Sequence, residues 1–279
     1  MNINKRKSKA VVFYVLTLVL AVFLLGQVVL VSLYGPKGVI IDLGINGYPD
    51  YIALGQVVSG DKPSINKDYA PTAENKDSLI NAVKESSLMF YTANDDMLVD
   101  FVTGNMQFKA ATTIYSSVSL DGGELASMYK WIGEHKGIVA SVISDYTLDS
   151  NITIESVDVS RGVDAVNLEY IVSMSKSDLV NRLQISSENK EYLLELIKSD
   201  KMYITLKFSG ELSGGKIVRV EDTSVSLSKA NPSMSKVLVD YIDSNSDGMF
   251  DGIIREYCTA LNVLGKLSVS ANRLVISNS

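Results

Sequence analysis

Asp243-Ser244-Asn245-Ser246-Asp247-Gly248-Met249-Phe250-Asp251-Gly252 places side-chain oxygens at positions 1, 3, 5 and 9 of one short run. When such a loop curls, oxygens at alternating positions converge on a point. A glycine at position 6 supplies the sharp turn, and position 7 offers its backbone carbonyl. Calcium accepts an irregular oxygen shell of that kind, whereas magnesium prefers to keep its waters. The competing account is a plain polar turn, because Asp, Asn, Ser and Gly are what turns use. Five constrained positions in register exceed what a turn requires, so the sequence predicts calcium in a structural role.

The run resembles the calcium loops of the EF-hand and of the aspartate-rich thrombospondin type 3 repeats. Its flanks, SMSKVLVDYI and GIIREYCTALNVL, have the apolar spacing of helices. By that resemblance Asp243, Asn245, Asp247 and Asp251 are side-chain ligands and Met249 is a carbonyl ligand. Position 12, a bidentate Glu in the family, is Ile254 here, with Glu256 two residues further on. Losing a bidentate carboxylate lowers coordination number and charge, so the expected affinity is weak, on the order of 10⁻⁴ to 10⁻³ M.

Other reactive residue types lack the company that catalysis needs. His135 is the only histidine and falls on the last turn of a helix over 124–136, where the helix dipole favours a cation. No G-x-S-x-G elbow accompanies it, and one His with one Cys cannot supply a zinc site. Cys258 has the spacing of a buried helix position, where thiols are inert. Asp95-Asp96 reads as a solvated turn, Trp131 with Tyr129 as a core anchor, and Gly122-Gly123 lacks the Lys of a phosphate loop.

The location of this chemistry is set at the N-terminus. Lys5, Arg6, Lys7 and Lys9 precede a run from Ala10 to Tyr34 without one charged side chain. About 20 apolar residues suffice to cross a bilayer as a helix, and a basic flank stays cytoplasmic. The run is too long, and lacks the small-residue cut site, for a cleaved signal peptide. The expected organisation is a basic tail at 1–9, a transmembrane signal anchor at 10–34, a stalk or lead-in at 35–77 and an extracytoplasmic domain at 78–279. Four of the 26 basic residues lie in the tail, leaving 22 against 32 acidic residues, a formal charge of −10. That balance argues against nucleic acid as a partner. A single cysteine makes no internal disulfide, so an apolar core must hold the fold.

The elements alternate between two periods. DSLINAVKESSLMF and ELASMYKWIGEHK read as helices, the second opened by a capping box from Asp121 to Glu124. NITIESVDV and VDAVNLEYIVSM form a hairpin across Arg161-Gly162, with Val166, Leu168, Tyr170, Val172 and Met174 on one face. SKSDLVNRL and ENKEYLLELIKSD are helical. MYITLKFSG then turns at Gly214-Gly215 into KIVRVEDTSVSLS. Apolar phase slips in 151–159 and 216–228 predict bulges. A helix pair and one last strand, KLSVSANRLVIS, close the chain.

The fold class is therefore α+β: a transmembrane helix followed by antiparallel hairpins packed with helices. The element order resembles the tubular lipid-binding (TULIP-like) domains of bacterial membrane proteins, which implies shelter for acyl chains. The function expected is a single-pass, calcium-stabilised binding protein of the cell membrane, its C-terminus extracellular, taking a lipid, an envelope polymer or a partner protein. The alternative is an envelope-processing hydrolase. A cavity lined by Met, Leu and Phe favours the first, and two carboxylates across a cleft favour the second.

Overall fold

The computed structural model describes residues 15–26, 28–29, 45, 47–86, 90–91, 98–100, 105–107, 117–134 and 151–277. Its centre is an antiparallel meander of four strands, β5 (Thr153–Arg161), β6 (Ala165–Ser175), β7 (Lys201–Ser213) and β8 (Lys216–Leu227), in that spatial order. The sequence dictates this through alternation. Val166, Leu168, Tyr170, Val172 and Met174 are all buried, as are Met202, Ile204, Leu206 and Phe208 on the neighbouring strand. Gly214 and Gly215, both at positive φ (59° and 79°), make the two-residue loop between β7 and β8. Such a loop needs left-handed backbone at both positions, and glycine adopts it without strain.

Helices cover the inner face of this sheet. α1 (Tyr48–Ser59) carries Pro49 in its first turn, where a missing N–H costs nothing, and buries Ala53, Leu54, Val57 and Val58. α2 (Ala73–Ser86) packs on α3 (Gly122–Glu134), which lies against β5. Two short helices, α4 (Lys176–Arg182) and α5 (Ser187–Leu196), connect β6 to β7. α6 (Pro232–Ser244) and α7 (Met249–Leu264) follow β8. The core closes on an aromatic stack. Tyr170 lies parallel to Tyr257 at 4.7 Å and to Phe208 at 5.7 Å, while Tyr129 meets the first two edge-on. Its hydroxyl lies 3.1 Å from that of Tyr170, so the polar tips are satisfied inside the core.

A second sheet has the order β4 (Val118–Leu120), β10 (Arg273–Ser277), β9 (Lys266–Ser270). The single last strand expected from the sequence is thus two. Ala271 and Asn272, at φ 48° and 58°, form a tight turn between them. A small sheet of β1 (Phe90–Tyr91), β2 (Leu98–Asp100) and β3 (Asn105–Gln107) completes the described strands. The expected α+β arrangement of antiparallel hairpins with helices is present.

The expected membrane-spanning helix is corrected. Among the described residues no helix is long and apolar enough to cross a membrane. Residues 15–26 and 28–29 are helical. The rest of 10–34 lies outside the described residues. What the structure does describe is an apolar helical stretch exposed along 15–25, with the Phe23 ring 4.5 Å from that of Tyr48 at the start of α1.

Candidate functional site

The Asp-rich segment forms the corner between α6 and α7, and its side chains are occupied in making that corner. Asp243 Oδ1 accepts the backbone N–H of Phe250 at 3.0 Å, which closes the first turn of α7. Asn245 ends α6 and turns its amide back to the Tyr241 carbonyl at 2.8 Å. Asp247 sits at φ 54° and accepts a hydrogen bond from the Gln184 side chain, while the Asn245 carbonyl accepts the Gln184 N–H at 2.6 Å. Gly248, at φ 72°, supplies the sharp turn expected at position 6. Met249 is buried, and Ile254 at position 12 is 2 % exposed in the core. Asp251 is exposed in the first turn of α7, and Glu256 stands further along that helix.

The expectation of calcium binding is corrected accordingly. Among the described residues no group of three or more His, Cys, Asp or Glu side chains is placed to hold a metal. The physical reason is competition: Asp243, Asn245 and Asp247 each spend a side-chain polar group on a hydrogen bond within the protein.

The same corner borders a groove of about 390 Å³. Val225 of β8, Val239 of α6, Phe250 of α7 and Pro232 supply apolar lining, and Asp240, Asp243, Asp251 and Lys236 stand around it. Thr223, Ser224 and Val225 all line it. Successive side chains of a regular strand point to opposite faces, so three consecutive residues lining one groove indicate the strand's edge or a break in its alternation. Among the described residues no strand pairs with that edge at 223–225, since β8 is the terminal strand of its sheet, and nearer its start Ile217 is bound by the Asn262 side chain.

A bulge shapes this edge. Lys207 pairs with Ser224 and Ser209 with Glu221, so Asp222 and Thr223 together face the one residue between. Asp222 takes φ 50°. The consequence is that Thr223 lines the groove, while Asp222 lines a second hollow of about 280 Å³ with Asp158, Glu169 and Lys207. Within that hollow Asp158 stands directly opposite Glu169, and Lys207 binds Glu169 at 2.8 Å. Burial, reinforced by the neighbouring Glu169 charge, pushes the Asp158 carboxyl above its ordinary range, against a backbone hydrogen bond and Lys207. A third hollow, of about 240 Å³, includes Trp131, Lys130 and Lys76.

The remaining candidates have structural duties. Asp121 Oδ1 accepts the Glu124 N–H and Glu124 Oε2 accepts the Asp121 N–H, both at 2.9 Å, which is the capping box read from the sequence. Gly122 and Gly123 are there for close approach: a Cβ on the first would collide with the Val157 carbonyl, and on the second with Asn75. Cys258 is buried, and burial lifts its thiol to about 12, so it is not a nucleophile at neutral pH. His135, Asp95 and Asp96 lie outside the described residues.

Sequence reasoning missed Glu155. This carboxylate accepts from Ser173 at 2.7 Å and from Lys62 at 3.2 Å, with Lys201 at 3.8 Å. It sits at the register shift of β5 between Ile154 and Ser156. The slip in apolar phase was the available signal, but it could not name the partners. No family model, no curated protein and no solved structure matches the chain.

Proposed function

We propose that the chain is a non-catalytic binding protein of the cell envelope, whose α+β domain takes up a lipid, an envelope polymer or a partner protein. The observation that carries this is the groove along β8, which combines apolar lining, a polar rim and, among the described residues, a strand edge without a further strand. Apolar contact supplies affinity there and the rim supplies orientation. The carboxylates of Glu124, Glu155 and Asp243 are engaged in structural hydrogen bonds. Contact with a lipid surface is supported by residues 15–25, an apolar stretch that water alone covers poorly.

The hydrolase reading draws on one observation, the pair Asp158 and Glu169. The two lie side by side on one open sheet face and not across a cleft, and Glu169 is bound to Lys207. A hydrolytic pair must flank the scissile bond, and side by side on one face these two carboxylates do not.

The test uses the full chain. It should cosediment with an isolated envelope fraction, and Val239→Asn should weaken that association while leaving the melting temperature near its starting value. Chromogenic glycosides and esters should give no turnover beyond that of an Asp158→Asn/Glu169→Gln variant. Turnover that this variant abolishes contradicts the binding reading.

A further inference from the structure

We propose that the groove between β8 and α6 receives a short extended peptide segment carrying Lys or Arg beside apolar residues. This rests on the binding reading above and names the partner's chemistry. Three features of the groove converge on it.

The first is charge. Asp240, Asp243 and Asp251 face one cation, Lys236, leaving a formal excess of two negative charges around the groove. Lys236 is already drawn to Asp240 at 3.0 Å, yet both partners are mostly exposed. An exposed pair of this kind is weak and readily exchanged for an incoming cation. The chain after residue 34 is itself acidic, so the long-range field attracts the same sign of partner.

The second is the strand edge. Among the described residues β8 has no strand partner on its outer side at Thr223, Ser224 and Val225, and an extended segment can add to such an edge through its own backbone. The bulge at Asp222–Thr223 ends the regular edge there, which limits the docked segment to a few residues. The third is the apolar lining. Val225 and Val239 are only partly buried, so alternate side chains of an added strand have apolar surface to meet.

The experiment titrates the full chain with a short labelled peptide alternating Lys and Val. Its Glu/Val counterpart and spermine serve as the other arms. The Lys/Val peptide should bind, and binding should weaken as salt is raised. Asp240→Asn/Asp251→Asn should weaken it about tenfold, the sum of two screened charge contacts. Lys236→Glu should tighten it, a gain that a misfolded variant cannot produce. Absence of binding, equal binding of the Glu/Val peptide, or full competition by spermine at equal charge overturns the assignment. If the peptide fails while the chain still cosediments with the envelope fraction, the peptide assignment falls and the binding reading survives.

Discussion

Arg273, on the last strand, donates to the buried carboxylate of Glu124 at 2.7 Å and so ties the C-terminal hairpin to the start of α3. The same guanidinium reaches Asp121 at 3.0 Å, and Glu124 also accepts from Ser78 at 2.5 Å. One buried carboxylate thus joins α2, α3 and β10. Glu124→Ala removes the acceptor of the Ser78 hydroxyl and the Asp121 N–H and takes the buried carboxylate from Arg273, and should cost about 2–4 kcal/mol in urea unfolding. A loss below 0.5 kcal/mol, the size of an ordinary surface change, would show the network to be dispensable.

Two carboxylates of β5 should respond to pH in opposite senses. Burial alone would raise Glu155, but the Ser173 hydrogen bond and the Lys62 and Lys201 charges outweigh it and hold its carboxyl below the ordinary range. The unfolded state therefore binds the proton first, and the stability Glu155 contributes is lost as pH falls through its lowered value. Asp158 is shifted upward, so the native state holds that proton longer and its ionisation weakens the fold as pH rises. Glu155→Gln should flatten the acid limb of a stability–pH curve, and Asp158→Asn should raise stability at neutral pH. The reverse signs contradict the geometry.

Glycine substitutions separate packing from propensity. Gly122→Ala drives a Cβ into the Val157 carbonyl and should cost at least about 2 kcal/mol through overpacking. Gly252 lies inside α7 with open space where a Cβ would sit. Gly252→Ala should therefore stabilise by about 0.5–1 kcal/mol. Thermal melts of the two variants should move in opposite directions.

The α6–α7 corner behaves as a cap. Asp243→Ala removes the acceptor for the Phe250 N–H and should cost about 1 kcal/mol. Millimolar calcium should shift the melting temperature of the parent no more than the same concentration of magnesium. A calcium-specific rise that Asp243→Ala abolishes contradicts the capping account.

Cys258 should resist alkylation in the native chain, because its thiol is buried and shifted to about 12. Modification at the rate of an exposed thiol would show that α7 opens readily. Reaction should appear only with unfolding.

Much of the fold was legible because strand burial has period two. Val166 to Met174 and Met202 to Phe208 read directly as inward faces, and the phase slips in β5 and β8 were signs of real register shifts. The last hairpin was hidden because Asn272 alone signalled left-handed backbone, while Ala271 beside it gives no such signal. The role of the Asp-rich loop was not legible for a different reason. A carboxylate that opens a calcium loop and one that caps the following helix occupy similar places, and only the third dimension tells which bond forms. The N-terminal run announces that its residues avoid water, yet among the described residues no helix is long and apolar enough to cross a membrane. The groove along β8 combines residues from 223 to 251, which no local pattern could join.

The most direct test of the central claim is hydrogen exchange on the full chain with and without the isolated envelope fraction. The account predicts slowed exchange confined to the β8 edge at 223–225 and the adjoining faces of α6 and the α6–α7 corner. Unchanged exchange there, with protection instead around Asp158 and Glu169, contradicts it.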